Sequence, residues 1–333
     1  MSQNQYLTAA DLQAFGANGT NLSDLSRALI AQQTQTWPML QKGASTLGSV
    51  IVREIEFEGF SMKIQFNPGR IVSSAAKVDK KSIAERKCFL CSENLPPEQK
   101  GIEVGDYTLL CNPFPIFPEH FTIPHKKHIP QLISDAFPAM LDISMRMGSR
   151  YSLFYNGPKC GASAPDHLHF QAGDFGFMSI DSTWDSLVKH HGEWIINNDK
   201  TRIAKVNDGL RRFIVFESTN KAELEDTFAR MFQTFETFNT DPEEEPMLNV
   251  LSTYQDGKWR VIAFLRKKHR PAQFFLEGDE KILFSPASVD FGGVCITPVE
   301  KDFHLMTKDL LIDMFNQLSA DPQVLNDVAN SLK

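Results

Sequence analysis

The chain has 333 residues, 42% hydrophobic and 23% charged, which is an ordinary globular balance with ample length for a large core. Its net charge of −7 and pI near 5.7 give no electrostatic case for nucleic acid or an anionic membrane as partner. Five cysteines do not suggest a disulfide framework, no run approaches a membrane span, and the start has no basic-then-apolar leader, so the expected setting is cytoplasmic.

Residues 1–45 read as a helical extension. Asp11 to Phe15 suggests a short helix, and Ser23 to Thr36 carries apolar residues at helical spacing with Asn21 or Ser23 as cap. Pro38 is expected to close this region. Val50 to Glu58 is strand-like, and Gln65 to Ile71 looks like strand, turn, strand. Arg70, Ser73, Ser74 and Lys77 could reach a phosphate or form a solvated face.

Cys88-Phe89-Leu90-Cys91 is a Cys-x-x-Cys. Alone it fits a redox motif, half a zinc site, or two buried thiols. The thioredoxin reading wants a helix after it, and Ser92 to Pro97 reads as loop. A zinc site needs two further ligands, for which His is the natural partner, and the stretch 114–129 holds His120, His125 and His128. Tyr107 to Asn112 and His120 to Ile123 read as strands, and Leu132 to Met147 as a helix.

Tyr151 to Tyr155 and His167 to Gln171 are expected to pair as a hairpin around the loop Asn156-Gly157-Pro158-Lys159-Cys160-Gly161-Ala162-Ser163. The returning strand reads Asp166-His167-Leu168-His169-Phe170-Gln171-Ala172. Strand side chains alternate faces, so His167, His169 and Gln171 share one face and Leu168 and Phe170 the other. Neutral imidazole is a good nucleophile near pH 7 and can form a covalent nucleotidyl intermediate. A neighbouring amide can donate to a phosphoryl oxygen as charge builds there. Gln does not deliver a proton as His does, so the row favours group transfer over hydrolysis.

This row resembles the histidine-triad superfamily, specifically its transferase branch with Gln in third place: galactose-1-phosphate uridylyltransferase, the dinucleoside-polyphosphate phosphorylases and the GDP-hexose phosphorylases. The uridylyltransferases usually place Pro between the two His; Leu168 stands there, closer to the phosphorylases. The resemblance implies His169 as nucleophile, Gln171 as phosphoryl-oxygen donor, and a substrate contact from the loop carrying Asn156, Gly161 and Ser163. It also implies a structural zinc on Cys88, Cys91, His128 and His167, fixing His167 and so aiming His169. His125 competes with His128, because the Pro-to-His spacing is one longer than usual.

Further on, Trp184 to His190 suggests a helix, Gly209 to Glu217 a strand, and Ala222 to Phe238 a helix. The acidic, Pro-bounded stretch 241–246 marks a seam. Leu248 to Tyr254, a hairpin turn at 255–258 and Trp259 to Leu265 repeat the earlier pattern and end in Arg266-Lys267-Lys268-His269-Arg270. Lys267, Lys268 and Arg270 could hold a terminal or hexose phosphate, or form a solvated face. Ser285 to Gly293 resembles a Gly-Gly segment lining the sugar side in GDP-hexose phosphorylases. Helices are expected at Thr307 to Leu318 and Pro322 to Leu332.

The expected fold is α+β: two antiparallel halves flanked by helices, a catalytic one at 46–205 and a degenerate one at 206–333 that lacks its own His-x-His. The expected function is transfer of a nucleoside monophosphate from a nucleoside-diphosphate sugar or dinucleoside polyphosphate to phosphate or a sugar phosphate through a nucleotidyl-histidine. A homodimer would match relatives. A nucleotide hydrolase and a zinc-stabilised nucleotide-binding regulator are the competing readings.

Overall fold

A computed structural model describes residues 5–71, 79–241 and 244–333. Near the N-terminus, α1 (Leu22–Thr36) is capped by the Asn21 side chain, which accepts from the Asp24 N–H (2.8 Å). Pro38 does not close the helical region. Trp37 is extended, and Pro38 opens α2 (Pro38–Thr46), because a missing N–H costs nothing at a first helical position. The hairpin β1 (Ile51–Phe57) and β2 (Phe60–Phe66) follows. The expected strand after Gln65 to Phe66 is instead a 3-10 turn, Pro68–Arg70.

The body of the molecule is one ten-stranded antiparallel sheet. In chain order its strands are β3 (Gly101–Val104), β4 (Tyr107–Cys111), β5 (His120–Pro124), β6 (Tyr151–Asn156), β7 (His169–Asp174), β8 (Gly192–Asn197), β9 (Thr201–Asn207), β10 (Arg212–Ser218), β11 (Leu248–Gln255) and β12 (Lys258–Leu265). In space they run β3-β4-β5-β7-β6-β11-β12-β10-β9-β8. The order is the same five-strand unit twice. Three strands precede a helix, α3 (Phe137–Met147) in the first unit and α5 (Lys221–Glu236) in the second, and a two-strand hairpin follows it. The two five-strand units are joined edge to edge through β6 and β11, where Asn156 pairs with Asn249. The boundary expected at 205/206 falls inside β9, and the second unit begins at β8.

The units differ at one end of the hairpin. In the second, β11 and β12 are joined by Asp256-Gly257, both with positive φ (51° and 79°), as a two-residue turn of hairpin type. In the first, β6 and β7 are separated by residues 157–168, which leaves room to build a site.

Alternation along the strands separates two cores. Phe121, Ile123, Leu168, Phe170, Ile214, Phe216, Val261 and Ala263 pack beneath α1, α3, α5 and α7 (Pro322–Asn330). Phe154, Phe213, Val215, Ile262 and Phe264 face the other side, covered by β1, β2 and β13 (Val294–Thr297), by α4 (Ile180–His191), and by α6 (Lys308–Leu318). Among the described residues no helix is long and apolar enough to cross a membrane.

Candidate active site and metal centre

β7 is held between β5 and β6, with Gln171 opposite Thr122 on one side and Phe154 on the other. The period-two alternation holds: Leu168 and Phe170 are in the helix-side core, whereas His169 and Gln171 line a pocket of about 570 Å³ on the opposite face. Asn156, Gly161, Ser163, Arg70 and Arg270 line the same pocket.

His169 is buried and points one nitrogen back at its own chain. Its Nδ1–H donates to the His167 carbonyl (2.8 Å), which leaves Nε2 with a lone pair. Burial lowers the imidazole pKa to about 4, so the ring is neutral near pH 7. Gln131, fully buried, fixes the backbone around it. Its Oε1 accepts from the His169 N–H (2.7 Å), and its Nε2 donates to the carbonyls of His169 and Asn156 (3.0 Å each).

Gln171 is oriented by His120. The Nδ1 of His120 accepts from the Ile116 N–H (3.2 Å), so its Nε2 carries the proton and donates to Gln171 Oε1 (3.0 Å). That places the carboxamide NH₂ of Gln171 as the group left for a ligand. Burial, reinforced by the Arg70 charge, lowers the His120 pKa to about 3 and keeps this tautomer neutral. Asn156 is fixed in a similar way, its Oδ1 accepting from Ser288 N–H (2.8 Å) and Asn249 Nδ2 (3.0 Å).

Gly161 sits at φ +98°, and a Cβ there would lie 2.5 Å from the Ala287 Cβ, so the 156–163 loop and the 285–290 segment touch through a glycine. Arg70 donates to the Phe114 carbonyl (2.7 Å), Arg86 to the Ser163 carbonyl (2.7 Å), and Arg270 to Ser285 Oγ (2.9 Å). Three guanidinium groups therefore line a pocket whose one carboxylate, Asp290, is taken up by the N–H groups of Ala287 and Ile296. Met39, Phe89 and Phe114 also line it and are 40–47% exposed, so the cationic region is bordered by open apolar surface. α2 supplies part of that wall. A Cβ on Gly43 would lie 2.1 Å from the Pro113 carbonyl oxygen, so only glycine lets the helix approach this closely.

Lys267 and Lys268 do not line the pocket. The chain after β12 pairs with the C-terminal region, where Lys267 N–H donates to the Leu318 carbonyl and its Nζ pairs with Asp321 (2.6 Å); Lys268 is exposed. Arg266 is buried and holds its own segment together, donating to Asn249, Pro286, Lys268 and His269. Ser73, Ser74 and Lys77, with Pro242 and Glu243 of the acidic seam, lie outside the described residues.

Beside the pocket, Cys88, Cys91, His128 and His167 place one ligand atom each within 4.8 Å of one another. His125 is not in this group; its Nδ1 accepts from the Lys127 N–H (3.0 Å). The cluster follows from local pairing: Leu168 N–H donates to the Ile129 carbonyl and His125 N–H to the Leu168 carbonyl, which draws the 125–129 loop against His167. The Cys-x-x-Cys turn is fastened by Asn94, whose Nδ2 donates to the Cys88 carbonyl (2.9 Å).

The four residues fit a metal ion. His167 donates its Nε2–H to the His125 carbonyl (2.7 Å) and so turns an unprotonated Nδ1 toward Cys88 Sγ (3.3 Å). His128 turns Nδ1 toward Cys91 Sγ (3.2 Å), with Asp166 behind its Nε2 at 3.5 Å. A carbonyl or carboxylate behind each ligating imidazole is the usual outer-shell support of a metal site. Desolvation and the adjacent Cys88 sulfur push the Cys91 thiol up to about 12, a mismatch that a divalent cation would relieve. Two thiolates and two imidazoles match zinc.

Gln131 and His120 have no signature in the sequence. Gln131 stands 38 residues before His169 in an irregular segment, and His120 reads only as one of several histidines in its stretch.

A family model described as a domain of unknown function, DUF4922, matches residues 29–174. No curated protein matches the chain. Among solved structures, the fold is similar to that of nucleotide phosphorylases. These are three structures of yeast Ap4A phosphorylase Apa2. The first has a TM-score of 0.52 and 18% identity over 85% of this chain and 93% of that one. The complex with Ap4A has 0.54 and 15% over 85% and 96%, and the complex with AMP 0.53 and 17% over 84% and 96%. At these identities the likeness is one of fold.

Proposed function

We propose that the protein is a nucleotidyltransferase of the phosphorylase type. The observation that carries this is the unprotonated Nε2 of His169 beside the oriented amide of Gln171, in a pocket lined by three arginines. His169 Nε2 attacks the α-phosphorus of the donor. The N–P bond forms as the bond to the bridging oxygen breaks, and the remainder leaves as a nucleoside phosphate or sugar phosphate. Gln171 donates to a non-bridging oxygen as charge builds on it. Inorganic phosphate or a sugar phosphate then attacks the same phosphorus, the N–P bond breaks, and His169 is regenerated.

The guanidinium groups of Arg70, Arg86 and Arg270 suit a donor with several phosphates. Phe89, Phe114 and Met39 offer apolar faces to a base. The fold likeness to phosphorylase structures, one of them holding Ap4A, supports a dinucleoside polyphosphate as the first donor to try and nucleoside-diphosphate sugars as the second. Zinc on Cys88, Cys91, His128 and His167 would be structural, with four protein ligands and no position left for water. Such a metal would tether the Cys-x-x-Cys loop, which carries Phe89, to His167, two residues before the nucleophile.

The test is turnover of diadenosine tetraphosphate with and without inorganic phosphate. Phosphate-dependent formation of ADP and ATP, abolished in His169→Ala, is the expected result. Release of AMP without phosphate would make the protein a hydrolase. Tight binding without turnover, unchanged in His169→Ala, would make it a binding protein.

A further inference from the structure

Behind the reactive strand lies a buried polar chain that the chemistry above does not use. Tyr155, on β6, is fully buried, and its hydroxyl lies 3.0 Å from the Gln131 carbonyl and 2.6 Å from Glu245 Oε2. The other carboxyl oxygen of Glu245 accepts from the Ile133 N–H. Glu245 comes from the acidic segment between α5 and β11, so it reaches the first unit from the second. Among the described residues it makes no ion pair. Lys159 pairs with Glu244 instead, and Glu236 is the charged group acting on Glu245.

A tyrosine hydroxyl has one proton, and here it faces a carbonyl oxygen and a carboxyl oxygen. A carbonyl only accepts, and so does an ionised carboxylate. If Glu245 were ionised, one of the two contacts would bring oxygen against oxygen with no hydrogen between them. If Glu245 carries a proton, both are satisfied: Glu245 donates to Tyr155, and Tyr155 donates to Gln131. We propose that Glu245 is a neutral-acid positioning residue, whose proton, relayed through Tyr155, fixes Gln131 and thereby the His169 backbone. This rests on His169 being the nucleophile. Burial points the same way, raising the Glu245 pKa to about 8.

The consequence follows from what Gln131 does. Its carbonyl is held by Tyr155, its N–H donates to the Pro165 carbonyl (3.3 Å), and its side chain bridges His169 and Asn156. Without the Tyr155 hydroxyl the Gln131 carbonyl is an unpaired buried acceptor. Without the Glu245 carboxyl Tyr155 keeps its bond to Gln131, but the Ile133 N–H is an unpaired buried donor and the Tyr155 oxygen has no donor. In either case the 131–133 segment shifts to seek a partner. A shift of about 1 Å at a reacting group can cost about 10²-fold in rate.

The experiment compares Glu245→Gln, which keeps an acceptor for Ile133 and a donor for Tyr155, with Glu245→Met, which keeps length and loses both. Tyr155→Phe breaks the same relay with a smaller change, should the Met variant fold poorly. Each full-length variant is read two ways. The first is deuterium exchange at the His169 amide. The second is kcat and KM with diadenosine tetraphosphate and phosphate. Expected are wild-type exchange and kcat in the Gln variant. In the Met and Phe variants, faster exchange at His169 and a kcat lower by about 10²-fold at unchanged KM are expected. A Gln variant as defective as Met, or Met and Phe variants with wild-type exchange, would overturn the proposal. If the expected exchange pattern is seen but the wild-type protein turns over no donor, the transfer reaction fails and the Glu245 relay stands.

Discussion

Replacing Gln131 with Met tests whether one buried carboxamide organises the site. Met has nearly the same length and no hydrogen-bonding groups of comparable strength. The change deletes the bonds to His169 N–H (2.7 Å) and to the carbonyls of His169 and Asn156 (3.0 Å each). His169 and Asn156 are 4% and 5% exposed and Gln131 is fully buried, so water does not replace these bonds without rearrangement. A buried polar group left unpaired costs about 1–3 kcal/mol, so three groups with partial relief toward the pocket give about 4 kcal/mol. At ~2.1 cal/mol/K of unfolding entropy per residue, that lowers the melting temperature by about 6 °C. Gln131→Glu should also be destabilised, since it keeps the acceptor for His169 N–H but sets a carboxylate oxygen against two carbonyls. Differential scanning calorimetry is the assay. A Met variant melting within about 1 °C of wild type would show that Gln131 does not hold the His169 backbone in place.

Other outcomes are expected from the same geometry. His120 and His269 are neutral when folded, with pKa lowered by burial to about 3 in each, and protonate near 6.5 when unfolded. The stability each contributes is therefore full above pH 6.5 and lost as pH falls from 6.5 toward 3, by at most ~1.4 kcal/mol per pH unit each. Denaturant titrations at pH 7 and pH 5 should show this loss, smaller in His269→Asn; an equal loss in that variant would contradict the assignment. Elemental analysis should find about one zinc per chain, and its removal by chelator should lower the melting temperature and stop turnover, as should Cys88→Ser. A protein purified without zinc and unaffected by chelator would mean that the four residues hold no metal. Gly161→Ala puts a Cβ 2.5 Å from that of Ala287 at a left-handed position, which costs about 1–2 kcal/mol from the backbone alone, and should raise the donor KM about tenfold. An unchanged KM would mean that this loop does not contact the donor.

What could be read from the sequence was local. The alternation Leu168-His169-Phe170-Gln171 matches the faces found, because a strand has period two whatever surrounds it, whereas His167 stands before β7 and turns to Cys88 instead of the pocket. The hairpin around the loop 156–163 was legible from two strand-like runs flanking a glycine-containing stretch, and the turn at 255–258 from its Asp256-Gly257 pair. A proline after a helix and a proline beginning the next one look alike in sequence, so Pro38 reads as a stop until Trp37 is found extended. The union of both units in one sheet depends on β6 meeting β11, and neither strand's own pattern specifies that neighbour. Gln131, His120 and Glu245 were hidden for a related reason: they are brought to His169, Gln171 and Tyr155, respectively, by strand pairing and loop packing across 38 to 90 residues of sequence. In the basic run after β12, Arg270 lines the pocket while Lys267 is turned to Asp321, a distinction set by pairing with the C-terminal region and not by charge.

His169 is proposed to carry the nucleotide between donor and acceptor. The most direct test is the intact mass of the protein after brief exposure to diadenosine tetraphosphate without phosphate, with nucleoside-diphosphate sugars in parallel. The expected result is a gain of one nucleoside monophosphate group, labile to acid, removed by adding phosphate, and missing in His169→Ala. An adduct that persists in His169→Ala, or turnover of donor by the wild-type protein with no adduct at any time, would contradict it.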